Sequence, residues 1–115
     1  MAYQIYICND SSSDDLLLDL YLGSALTIEM YWESIGRKLE LPIISTLTEK
    51  ADSEEGLALS GNDLVLFKDE MNIFEKYWIS ENSNFDLPEG FLVNIRKIVE
   101  ETEHAISRGL TLMVS

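Results

Sequence analysis

The 115-residue chain carries 21 acidic against 8 basic residues, a net charge of −13 with one histidine, and 46% of it is hydrophobic. That length and apolar content are enough for one globular domain, residues 1–115, with its own core, and they argue against disorder. The charge excludes nucleic acid and anionic lipid as partners, because both are held by Lys and Arg facing phosphate, and it favours a basic protein.

The opening MAYQIYICND has neither a positively charged n-region nor a long apolar h-region. No apolar run approaches the ~20 residues of a membrane helix, so the expected location is cytoplasmic. The lone Cys8 has no partner for an intramolecular disulfide, and its apolar neighbours predict a buried structural thiol.

In chain order, residues 3–8 are β-branched and aromatic, with Tyr3, Ile5 and Ile7 on one face of an interior strand. Residues 9–14, NDSSSD, are turn chemistry. Residues 15–22 fit two periods. Leu16, Leu18, Leu20 and Leu22 alternate as a strand does, while Leu16, Leu17 and Leu20 also share a helical face. The strand reading, a hairpin with the first strand, is the one taken.

Ser24 is placed to cap a helix whose face is Ala25, Ile28, Trp32, Ile35 and Leu39. Glu33 and Arg37 stand at i and i+4, a pair worth roughly 0.2–0.5 kcal/mol on the exposed side. Gly36 is read as tolerated slack rather than as a close approach, and it costs roughly 1 kcal/mol relative to alanine. Pro42 ends this helix near Glu40. Residues 41–59 are the least legible. LPIIST is β-branched, EKADSEEG is a charged polar run, and a structureless loop of about 20 residues is uncommon inside a compact domain, so a short strand, a turn of helix or a mobile loop with a job is expected there.

Ser60 and Asp63 match a capping box in front of a second helix over 62–78. Leu64, Phe67, Met71, Phe74 and Trp78 form its main stripe, Ile73 and Tyr77 widen it, and Asp69, Glu70 and Glu75 are expected in solvent. Residues 80–84 read as a loop. A third helix follows, with Asp86 as cap, Leu87 and Pro88 in the first turn, and Glu89 reaching back. Its face is Leu92, Ile95, Val99, Thr102 and Ile106, broadened by Phe91, Ile98 and Ala105; Arg108 and Gly109 close it. Leu110, Leu112 and Val114 then alternate as a strand that must pair, most economically with residues 3–8. The outline is an α+β fold: a small, mainly antiparallel sheet, made from the N-terminal strand or hairpin plus the C-terminal strand. Three amphipathic helices pack on one side of it.

Chemistry-bearing groups are sparse. His104 follows Glu100 and Glu101 at helical spacing, but two or three such ligands fall short of a closed metal site, and a solvated or capping histidine is the reading taken. Cys8 has no adjacent base, and no G-x-S-x-G elbow exists. Asp10, Asp14 and Asp15 lack the glycine and terminal glutamate of a calcium loop. Scattered single glycines make no phosphate cradle. The aromatic stripes Phe67/Phe74/Trp78 and Tyr31/Trp32 read as core. No catalytic residue, metal or cofactor is therefore expected.

One feature resists a purely structural account. Glu100, Glu101 and Glu103 lie in the C-terminal half of a helix, where the macrodipole disfavours each by about 0.3–1 kcal/mol. With Asp52, Glu54 and Glu55 they form the expected partner-binding acidic surface. The function expected is a small non-enzymatic binding protein that docks onto a basic partner. Toxin-neutralising proteins and nuclease inhibitors share its size and charge, and that is the extent of the likeness. The alternative is an assembly or scaffold subunit of a homo-oligomer, a homodimer for instance, that buries surplus apolar helix face.

Overall fold

The computed structural model describes residues 2–8 and 16–115; the turn expected over 9–14, and Asp15, lie outside the described residues. Strand β1 (Ala2–Cys8) buries Tyr3, Ile5 and Ile7 on one face. It pairs antiparallel with β2 (Leu16–Ser24) on one side and with β4 (Leu112–Val114) on the other. Beyond β4 lies β3 (Leu57–Leu59), giving the order β2-β1-β4-β3. The register aligns two rows across the sheet: Leu18, Ile7, Leu112 and Leu59, then Leu20, Ile5, Val114 and Leu57. All but the half-buried Leu20 are buried, and together they floor the core. On the other face Gln4, Asp19, Tyr21 and Ala58 are exposed, with Tyr6 and Met113 half-buried between them.

The double periodicity of the leucine run has a local cause. The β1–β2 register shifts between Tyr3 and Gln4 and again between Ile7 and Cys8. Each shift leaves one extra residue on β2, Leu22 and Leu17 respectively, and so breaks strict alternation. Cys8 is half-buried at the second shift, less enclosed than expected for a core thiol.

Helix α1 (residues 25–38) is an α-helical turn Ala25–Ile28, a π-helical segment Glu29–Glu33 and a further α-helical piece Ser34–Lys38. Ser24 caps it as expected, accepting the Thr27 amide proton at 3.2 Å. The π segment inserts extra chain per turn, and with it the expected Glu33–Arg37 pair is lost. Arg37 pairs instead with Glu29, eight residues away, and Glu33 turns inward. The helix ends in a Schellman turn: Glu40 and Leu41 donate to the carbonyls of Arg37 (3.2 Å) and Gly36 (2.7 Å). Glu40, at φ 59°, is the one non-glycine residue with positive φ among those described.

Gly36 is a point of close approach, not slack. A Cβ there would sit 2.7 Å from the Ser45 amide nitrogen and 3.0 Å from Ile44. The segment that presses on it is a 3₁₀ turn, Ile44–Thr46, continuing into α2 (Leu47–Ala51). Residues 41–59 thus contain both a turn of helix and a strand.

Helix α3 (Gly61–Glu81) buries its stripe from Leu64 to Trp78, but Ser60 makes no side-chain capping bond and the expected box does not form. Ile73 is 49% exposed, so it does not widen the apolar face. Glu70 and Glu75, expected in solvent, are buried at 7% and 9% exposure. Helix α4 (Phe91–Arg108) begins five residues later than Asp86: Gly90, at φ 77°, precedes it, and the Phe91 amide closes a turn onto the Pro88 carbonyl at 3.1 Å. Asp86 instead uses its carbonyl to accept the Tyr31 hydroxyl at 3.3 Å. Gly109, at φ 68°, ends α4 as expected, and Leu110 donates to the Ala105 carbonyl at 2.9 Å.

The helices cover the inner face of the sheet and meet in an aromatic cluster. Trp78 lies edge-on to Phe74, Tyr77, Phe85 and Phe91, while Trp32 stacks on Phe74 at 4.7 Å. The aromatic stripes are core. Each fully buried ring or aliphatic chain of this size contributes roughly 1.5–3 kcal/mol relative to exposure. The fold is α+β, with a four-stranded antiparallel sheet among the described residues and helices on one side. No helix among the described residues is long and apolar enough to cross a membrane.

Candidate interaction surface

Helices α3 and α4 form an antiparallel hairpin, as the ion pairs across it show. Lys68 meets Glu103 at 3.7 Å and Glu75 meets Arg96 at 3.3 Å. Seven residues forward on α3 therefore correspond to seven residues back on α4. Along the outside of this hairpin runs an open groove of about 570 Å³, lined by Glu75, Ile79, Leu92, Val93, Arg96, Lys97, Glu100 and Glu101. Its floor is apolar, and two of its residues are unusually uncovered: Ile79 is 58% and Val93 72% exposed. The core does not require either side chain to be apolar.

Charge surrounds that floor. Arg96 is held between carboxylates, 3.3 Å from Glu75 and 3.5 Å from Glu100, so its charge is matched locally. Glu101 lies 3.2 Å from Nδ1 of the exposed His104. The Arg96–Glu100 pair, exposed on both sides, contributes about 0–1 kcal/mol to stability and is screened by salt, whereas the acids of the other two pairs, Glu75 and Glu101, are largely covered. Two of the acids expected to mark a partner surface, Glu100 and Glu101, therefore line one groove, while Glu103 pairs toward Lys68.

The other three acids stand elsewhere, between α2 and β3. Asp52 accepts the hydroxyl of the buried Tyr3 at 2.7 Å, and the same bond, reinforced by burial, raises the Tyr3 hydroxyl above its ordinary pKa. Glu54 and Glu55 are exposed on the turn before β3. The six acids thus form two grounds on different elements, and only the α4 group has exposed apolar surface beside it in the groove.

Two acids that sequence reasoning assigned to solvent or to a surface pair hold the interior together. Glu70 accepts the amide protons of Ile43 (3.0 Å) and Ile44 (2.9 Å), and Glu33 accepts the amide and hydroxyl of Thr48. Each carboxylate caps the start of a short helical segment from a different part of the chain, where bare N–H groups carry partial positive charge. Burial raises the Glu70 pKa, and the two amide bonds offset only part of that rise.

Among the described residues no group of three or more His, Cys, Asp or Glu side chains is placed to hold a metal ion. Three buried polar atoms there have no hydrogen-bond partner: Nε1 of Trp32, Nε1 of Trp78 and Oγ1 of Thr102. A signal for the groove did exist in the sequence. Val93 and Ile79 are apolar residues out of phase with the stripes of their own helices. No protein-family model, no curated protein and no solved structure matches this chain.

Proposed function

We propose that this chain is a non-enzymatic binding protein that docks a basic protein through the α3–α4 groove. The observation that carries the reading is the adjacency of exposed apolar residues, Ile79 and Val93, to Glu75, Glu100 and Glu101 on a chain of net charge −13. Apolar contact supplies affinity at such a surface, while the surrounding field steers a cationic partner and rejects anionic ones. Asp52, Glu54 and Glu55 add to that field from the turn between α2 and β3. The proposal excludes nucleic acid and lipid as partners. It places the protein in the cytoplasm, where a lone thiol such as Cys8 stays reduced.

The test is capture from native lysate on immobilised protein, with the retained partner identified and its binding measured with purified components. The expected result is a partner of basic pI, released by added salt and held less well by a Glu100→Gln/Glu101→Gln variant. Retention of neutral or acidic proteins only, or affinity indifferent to salt, overturns the proposal.

A second reading, a homo-oligomer subunit, is favoured by the order of charge along α4. Arg96 and Lys97 precede Glu100 and Glu101, so two antiparallel copies would set each cation against an acid of the other, as a two-fold contact requires. Against it stands the repulsion between two bodies each of charge −13.

A further inference from the structure

Resting on that docking proposal, we infer that the partner enters the groove as an amphipathic helix, with apolar anchors at one end and cations about two turns further on. The walls of the groove are two antiparallel helices, and no strand residue lines it. Strand addition needs an open sheet edge, which here belongs to β2 and β3. A third helix fits between two helices by the same ridge-and-groove packing that joins α3 to α4. On α4 the lining runs from Leu92 to Glu101, about 14 Å at 1.5 Å per residue, or between two and three turns of a bound helix.

The chemistry along that length is ordered. Ile79, Leu92 and Val93 lie toward the turn of the hairpin, and Glu100 and Glu101 lie two turns of α4 away. Arg96, already held by Glu75 and Glu100, and the exposed Lys97 separate the two ends. A matching helix carries two apolar residues at i and i+4 and Arg or Lys near i+7 and i+8. The net charge of −13 decides against an anionic amphiphile, which the basic side chains alone would otherwise attract, and against a second copy.

The experiment uses the intact protein and labelled helical peptides, read by fluorescence anisotropy at low salt. The probe has the ordered pattern. One control has the same residues permuted so that no apolar face forms, and another replaces the cations with glutamate. Binding of the ordered peptide alone is expected, weakened at least tenfold by Ile79→Ser/Val93→Ser, the smallest loss expected for uncovering one buried aliphatic chain. Both positions are exposed, and an unchanged melting temperature checks that the variant still folds. Equal binding of the permuted peptide, preference for the glutamate peptide, or no effect of the double substitution overturns the inference. So does a dimer by sedimentation that Val93→Ser dissociates. The two ideas separate cleanly: if the basic protein is still captured by the Ile79→Ser/Val93→Ser variant but lost with Glu100→Gln/Glu101→Gln, acidic docking stands and the helix-in-groove inference falls.

Discussion

Glu33 accepts both polar hydrogens of Thr48, the amide at 2.9 Å and the hydroxyl at 2.8 Å, although the two residues are fifteen apart and lie on different helices. Glu33 can do so because the π segment rotates it off the exposed side of α1 into a buried position. The bond ties the α2 segment to α1, while Glu70 ties the preceding turn to α3.

Glu33→Ala should cost about 2–4 kcal/mol in urea unfolding, since it leaves a helix-start amide and a hydroxyl without their acceptor. Thr48→Val removes only the hydroxyl bond and should cost about 1 kcal/mol. A double-mutant cycle should give a coupling well above zero. Additive losses would mean that the contact adds no stability of its own.

Glu70 makes stability depend on pH in an unusual direction for a carboxylate. Its folded pKa is raised above the ordinary value of 4.5, so the folded state holds the proton more tightly than the unfolded chain does. The contribution is complete below 4.5 and is lost as pH rises through the folded value. Glu70→Gln removes this titration. The stability of the natural chain relative to the variant should therefore fall as pH climbs from below 4.5 toward neutrality. A difference that stays flat across that range would show that the buried carboxylate ionises without penalty.

Gly36→Ala and Glu40→Gly should move stability in opposite directions. The added methyl at 36 meets backbone at 2.7 Å and should cost about 1–3 kcal/mol, despite alanine's better helix propensity. Glycine at 40 relieves a left-handed conformation and should gain about 0.5–1 kcal/mol. Thermal melts of the two variants check both signs at once.

Thr102 is fully buried with its hydroxyl unpartnered. Thr102→Val keeps the shape and removes the desolvated oxygen, so a gain of about 1 kcal/mol is expected in chemical denaturation. A loss there would reveal a partner for the hydroxyl, a bound water for instance.

What was legible in the chain follows from how local each determinant is. The periodic stripes of α3 and α4, the Ser24 cap and Gly109 depend on neighbours in sequence, and pattern reading finds them; the β1–β4 closure is distant, but a short terminal strand needs a partner and β1 was the clearest one. Glu33 and Glu70 escaped because their partners, Thr48 and the Ile43–Ile44 amides, are brought to them only by the fold. An acid off an apolar stripe reads as solvated unless another segment supplies the donors. Asp86 misled for the opposite reason: its local pattern is a good cap, but Pro88 and Gly90 build a turn that delays the helix to Phe91. In the candidate groove, Glu100 and Glu101 stood out as adjacent acids in the C-terminal half of their helix. Ile79 and Val93 passed unremarked because a single out-of-phase apolar residue is ordinary on any surface.

The pairing of β4 with both β1 and β3 has a consequence for the order in which the molecule can form. β3 reaches the rest of the sheet only through β4, and β4 meets β1 across more than a hundred residues, closed by reciprocal bonds between Gln4 and Ser115 at 2.9 and 3.1 Å. During synthesis β1 can make only its hairpin with β2, leaving one edge open until residues 112–114 have left the ribosome. Folding should be slow for a domain this helical, because its last and most distant contact completes the floor on which the helices rest.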